Sequence, residues 1–209
     1  MNYASCIVHC AFIFWLAIKF ILILHLMRPI FIIGFMGSGK STLGRALSAA
    51  LGISFIDLDN YIESRFHANI RDIFATRGEE GFRRIERNML CEVSEFEDVI
   101  VACGGGTPCF FDNIDVINAS GLSVMLEVSH GRLFERLSHG RRRRPLIASM
   151  TDERLNEYID EALAARMLFY SKATHRFSGE HLDSAEEIAA TVNEFITRFG
   201  LRPSDTSRQ

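Results

Sequence analysis

The chain has 209 residues, 48% of them hydrophobic and 23% charged, which suits one globular domain with a full-sized core and excludes a disordered or fibrous chain. Its formal net charge of −3 leaves no global basic field to attract nucleic acid. The five cysteines (Cys6, Cys10, Cys91, Cys103 and Cys109) form no CxxC pair, and their odd number suits a reducing compartment; neither they nor the scattered His67, His130, His139, His175 and His181 show zinc-site spacing.

Cys6 to Met27 is apolar, with Lys19 its only formal charge. As a helix it would span about 33 Å, enough to cross a bilayer. It does not fit a signal peptide: Met1 to Ser5 carries no Lys or Arg, the run is too long, and no A-x-A-like site follows. Arg28 to Phe35 then leads directly into a glycine loop, so an anchor ending at Met27 would press the domain against the headgroups. Residues 1–27 are therefore expected to be a dispensable leader or a mis-assigned start ahead of Met27. A membrane anchor, the only route to membrane contact, and an N-terminal helix packed on the protein are the alternatives.

From residue 28 to about 200, apolar runs alternate with helical patterns, the βαβ signature of a mostly parallel sheet. Strands are expected at Pro29–Phe35, Ile53–Ile56, Val99–Ala102, Leu122–Val128 and Thr174–Ser178. A helix runs from Lys40 to about Leu51, with Leu43, Ala46, Leu47 and Ala50 on one face and Gly52 ending it. A second carries Tyr61, Ile62 and Phe66. Others are expected from about Gly78 to Phe96, Gly131 to Leu137, Thr151 to Phe169 (capped by Thr151 or Asp152) and Ala185 to Phe199. Residues 201–209 read as a flexible tail. No repeat, second-domain linker or oligomer interface is visible, and a monomer is expected.

Gly34-Phe35-Met36-Gly37-Ser38-Gly39-Lys40-Ser41 matches G-x-x-x-x-G-K-[ST]. Glycines let successive N–H groups turn inward toward phosphate oxygens, and the following helix adds its N-terminal dipole. Lys40 would reach the β- and γ-phosphates and Ser41 would offer a hydroxyl to Mg²⁺. The predicted strand before the motif and helix after it are the context this mechanism requires.

Asp57 and Asp59 stand two apart at the end of the second strand, where an extended chain would aim them to opposite sides. One could then face a metal and the other an acceptor hydroxyl, with Asp57 nearer the metal position and Asp59 able to take a proton; plain helix capping is the alternative. Gly104-Gly105-Gly106 permits close approach of a ligand or is a tight turn. Arg83, beside Phe82, suits a carboxylate clamp or is a surface residue, as Arg84 is expected to be. Arg166 is a second clamp candidate. Arg141-Arg142-Arg143-Arg144-Pro145 reads as a solvated face, a polybasic address or, given the phosphate cradle, a lid over about residues 138–150.

Taken together, GFMGSGKSTLGR, FIDLD, GEEGFRRIE, the triple glycine after a strand and the RRP-L-I segment resemble shikimate kinase over about Arg28 to Phe199. The resemblance implies a P-loop NTP hydrolase-like α/β fold, three layers α/β/α around a five-stranded parallel sheet. It implies a cytoplasmic enzyme with ATP and shikimate as small-molecule substrates, Mg²⁺ as cofactor and no nucleic-acid partner. Gly37, Ser38, Gly39, Lys40, Ser41 and Thr42 would hold the triphosphate, with Ser41 on Mg²⁺ and Asp57 reaching it through water. Asp59 would contact the shikimate hydroxyls, Arg83 and Arg166 its carboxylate, and the Gly104, Gly105 and Gly106 turn would add a backbone contact. Arg144 would reach ATP and Arg136 would lie near the adenine. Lys40, Asp59 and Arg144 form the implied catalytic set. Two departures stand out: four consecutive arginines in the lid segment, and Arg166-Met167-Leu168-Phe169-Tyr170 where R-x-P-L-Y is usual. Another small P-loop kinase and a membrane-tethered nucleotide-binding module are the rival readings.

Overall fold

The computed structural model describes residues 27–144 and 146–203. The leader reading for residues 1–26, most of the tail reading (residues 204–209) and Pro145 lie outside those residues. Among them no helix is long and apolar enough to cross a membrane.

Strand β1 (Ile30–Ile33) is followed by α1 (Lys40–Leu51), β2 (Ser54–Asp57), α2 (Leu58–Phe66), α3 (Ile70–Ser94) and β3 (Val99–Ala102). A short 3-10 turn (Thr107–Cys109) leads to α4 (Asn113–Ser120), β4 (Leu122–Glu127) and α5 (His130–His139). After a second 3-10 turn (Arg141–Arg143) come α6 (Asp152–Tyr170), β5 (His175–Ser178) and α7 (Ala185–Phe199). The five strands form one sheet in the order β2-β3-β1-β4-β5, and every pairing is parallel. The α/β fold inferred from sequence is the one observed.

All four β1 residues are buried, because the central strand of a parallel sheet is covered on both faces. Alternation decides which core each side chain joins. Phe31 and Ile33 pack with Val99 and Val101 and with α2, α3, α4 and α6, through residues such as Leu58, Ile85, Ile117 and Ile159. Ile30 and Ile32 point the other way, to Leu43 and Leu47 of α1 and to Val192 and Phe195 of α7. Order 3-1-4 around β1 makes its C-terminal end a switch point, where open α/β sheets leave a crevice.

Several expectations need correction. Ala50 is exposed, and the buried face of α1 is Leu43, Gly44, Leu47 and Leu51. Helix α3 starts at Ile70, eight residues before the expected Gly78; Gly78 is instead a break inside it, with φ 67. Asn69 caps the early turn by accepting from the Asp72 amide, a local signal that the helical pattern alone does not reveal. Helix α4 is absent from the sequence expectations: it has only Ile114 and Ile117 as buried apolar residues and no side-chain cap, too little periodicity to stand out. Asp57 and Asp59 do not share an extended segment, since Asp57 ends β2 and Asp59 lies in the first turn of α2. Thr151, not Asp152, caps α6, accepting from the Arg154 amide.

Helix α7 is held at its start by a reciprocal pair, in which Ser184 accepts from the Glu187 amide and the Glu187 carboxylate accepts from the Ser184 amide. Ser184→Ala should therefore cost about 1 kcal/mol of unfolding free energy. Urea titration should show a lower midpoint with an unchanged slope.

Candidate active site

The segment after β1 wraps because three of its glycines, Gly34, Gly37 and Gly39, take φ of 144, 80 and 96, a region closed to most side chains. The wrap delivers Lys40 to the N-terminus of α1. Its Nζ donates to the carbonyls of Gly34 and Phe35 at 2.9 and 2.8 Å. Burial pulls the ammonium pKa down to about 8, against the opposing pull of Asp59 and Asp57. Ser38 is buried and its hydroxyl has no hydrogen-bond partner, and Thr42 is exposed in the first turn. Ser41 donates to Asp57 Oδ2 at 2.7 Å, so the two proposed metal contacts are adjacent. Asp57 occupies the N-cap position of α2 without a side-chain capping bond, so its place at the positive end of the helix is all that the capping alternative retains.

Asp59 stands opposite. Burial, reinforced by the neighbouring Asp57 and Glu86 carboxylates, pushes its pKa up to about 6, with Lys40 acting against them. Its Oδ1 lies 2.9 Å from where a Cβ on Gly104 would sit, so the absence of a side chain there admits the carboxylate. The remaining glycines of the turn serve the arginines in the same way. A Cβ on Gly105 would lie 3.2 Å from Arg166 Nη1, and one on Gly106 would lie 2.9 Å from Arg83 Nη1.

Arg83 stacks on Phe110, with its guanidinium carbon 3.8 Å from the ring centre. It donates to Glu86 at 2.9 Å, and its buried Nε has no partner. Glu86 is 1% exposed and also accepts from Thr107 Oγ1 at 2.6 Å. Arg166 lies over Phe35, 5.3 Å from the ring centre, and has no carboxylate partner among the described residues. Arg84 is the surface residue expected, paired with Glu80. The ends of β1, β2 and β3 thus bring together the glycine loop, both aspartates and the triple-glycine turn, with Arg83 and Arg166 against that turn.

Arg136 and Arg144 belong to a neighbouring region that borders the glycine loop. With Arg132, His139 and Asp183 they line a cavity of about 630 Å³. Arg136 is held by Asp183 at 2.8 and 3.0 Å and by the carbonyls of Gly179 and Glu180, and it reaches the Ser38 carbonyl at 3.5 Å. Arg144 fills the space that a Gly140 side chain would take. Within the arginine run, Arg141 serves instead as a tether, bonding the Met150 carbonyl at 2.7 Å and Asp152 of α6. Ile147, fully buried in the core, pins the other end of the segment.

Sequence reasoning misses Glu86, Thr107, Tyr170 and Asp183. Glu86 closes the GEEGFRRIE stretch, three residues from Arg83 and so on its helix face, which is a usable signal. Thr107 and Asp183 give none, since their partners lie far away in sequence.

A family profile described as "Shikimate kinase" matches residues 36–197. A shikimate kinase from Phocaeicola vulgatus is 50% identical over 167 residues, covering 80% of this chain and 95% of that relative. One from Parabacteroides distasonis is 48% identical, covering 81% and 98%. The crystal structure of shikimate kinase from Bacteroides thetaiotaomicron superimposes with a TM-score of 0.81 at 43% identity, over 84% of this chain and 99% of that one. Shikimate kinase from Acinetobacter baumannii, solved in complex with shikimate, gives a TM-score of 0.71 at 26% identity, covering 83% and 94%.

Glu86 is buried among like charges and relies on its donors. Thr107→Val keeps the shape but removes one of them, which should cost about 1–3 kcal/mol of stability. Urea unfolding measures it, and a loss below about 0.5 kcal/mol would show that Arg83 alone suffices.

Proposed function

This chain belongs to the shikimate kinase family, and on that premise we propose that it transfers the γ-phosphate of ATP to the 3-hydroxyl of shikimate, giving 3-phosphoshikimate and ADP. The observation that carries this reading is the convergence of the Lys40 glycine loop, Asp59, the triple-glycine turn, Arg83 over Phe110 and Arg166 over Phe35.

In the proposed mechanism the amides of Gly37, Ser38, Gly39, Lys40, Ser41 and Thr42 wrap the triphosphate. Lys40 exchanges its two carbonyl contacts for phosphate oxygens, which restores to a buried ammonium the counter-charge it lacks. Arg83 and Arg166 hold the acceptor carboxylate. For Arg83 the support is its unpartnered Nε, and for Arg166 its lack of a competing carboxylate. The Gly104, Gly105 and Gly106 turn lets the ring approach the backbone. The acceptor oxygen attacks the γ-phosphorus in line, the bond from that phosphorus to the β-bridging oxygen breaks, and the hydroxyl proton passes to Asp59. Arg144 would meet the phosphate chain from the lid segment, and Arg136 would flank the adenine in the cavity it lines.

Ser41 and Asp57 fit Mg²⁺, because this ion takes few protein oxygens and completes its shell with water and phosphate. Their contact at 2.7 Å sets two such oxygens side by side. Mg²⁺ bound there would neutralise charge on the phosphates. A cytoplasmic monomer completes the proposal; cell fractionation and light scattering check both points.

ADP release from the purified chain should require shikimate, and a coupled assay with no shikimate-dependent release would overturn the reading. Asp59→Asn should lower kcat at least 100-fold and leave nucleotide affinity within about threefold. With both substrates subsaturating, kcat/KM reports the free enzyme. Only ionised Asp59 accepts a proton, so the rate should rise as pH passes about 6; only charged Lys40 holds phosphate, so it should fall as pH passes about 8. A profile flat from pH 5 to 7 would remove the role given to Asp59.

A further inference from the structure

Tyr170 is the last residue of α6, and it is fully buried. A buried phenol normally finds a polar partner for its hydroxyl. Here the Tyr170 O–H donates to the Gly105 carbonyl, across 65 residues of sequence. Arg166 is one helical turn earlier, which places both side chains on the same face of α6. Arg166, Cys109 and Tyr158 are the polar groups whose charge or dipole acts on the phenol. Gly105 is itself wedged, since a Cβ there would lie 3.2 Å from Arg166 Nη1, 3.5 Å from the Met36 amide and 3.6 Å from the Gly34 carbonyl. The Gly105 backbone therefore meets the Tyr170 hydroxyl at its carbonyl and the Arg166 guanidinium beside its Cα, two neighbours that arrive on one face of α6.

We propose that Tyr170 is a positioning residue for the acceptor: it fixes the distance between the Gly105 backbone and the Arg166 guanidinium, and so sets affinity for the carboxylate of shikimate. It touches no substrate itself. The inference rests on the proposed function of the same site. A residue that only filled the core would, when altered, lower stability and disturb both substrates together. A spacer between Gly105 and Arg166 acts on one substrate alone.

The test is steady-state kinetics on Tyr170→Phe, which keeps the buried ring and removes only the hydroxyl. KM for shikimate should rise about five- to tenfold, the range expected for losing a hydrogen bond next to a charged group. The change in kcat should stay within about threefold, and KM for ATP should not move. Arg166→Lys alone and combined with Tyr170→Phe completes a double-mutant cycle. If Tyr170 acts through Arg166, the hydroxyl deletion should change KM for shikimate less than twofold in the Arg166→Lys background. Three results would overturn the inference: unchanged KM in Tyr170→Phe, equal rises in both KM values, or full additivity in the cycle. Should Tyr170→Phe fail to fold, the phenol's part is structural and the inference is likewise lost. An unaltered enzyme without shikimate-dependent ADP release would instead sink the underlying function, so the two failures are distinguishable.

Discussion

A buried ammonium held by carbonyls is the constraint on which the rest of the site depends. Lys40 opens α1 beyond the glycine loop that leaves the central strand, and it is only partly exposed. Its nearest partners are the Gly34 and Phe35 carbonyl oxygens, dipoles and not full charges. Taking a cation out of water on those terms is costly, and the fall of its pKa to about 8 registers that cost. The cost is tolerable because a parallel sheet with both faces covered supplies a rigid floor. Ile30 and Ile32 lock β1 to one layer of helices, and Phe31 and Ile33 lock it to the other. A loop that emerges from such a strand cannot relax to expose its lysine.

Charge is distributed around that cation with a consistent logic. Asp57, Asp59 and Glu86 accumulate on one flank, where their mutual repulsion and burial keep Asp59 reluctant to ionise. The same surroundings, burial first, push the Cys103 thiol well above its ordinary range, so it behaves as a packed apolar group. Arg83 and Arg166 stand beside them along the triple-glycine turn. Glu86 joins the two sets, accepting from Arg83 and from Thr107, and so ties the arginine to the segment that follows the triple glycine.

Much of this is readable from sequence wherever the determinants are contiguous. The glycine loop, Asp57 and Asp59, the triple glycine and Arg83 each announce themselves within a few residues, and hydrophobic pattern alone bounds β3 and α7 correctly. What escapes is set by distant partners. Thr107 acquires its meaning from Glu86, Tyr170 its bond from Gly105, and Asp183 its place from Arg136 and Arg132. No local pattern encodes such pairs. Helix α4 escapes for a related reason: two buried isoleucines do not make a periodic face, and tertiary packing rather than propensity sustains so short an element. The aspartates show a subtler error. Both are recognisable from sequence, but the expectation of extended chain through Asp59 fails, because Leu58 is fully buried and already begins a helix.

The four arginines look equivalent in sequence, yet the first of them is bolted down. Arg141 is tied to Met150 and Asp152, and Ile147 is sunk in the core. Between these fixed ends the backbone crosses six Cα steps, at most about 20 Å of contour. The crest of such an arch can rise no more than about 10 Å above its footings. Arg144 stands midway between these two points, three residues from each, so the run's first member bounds where its last can sit.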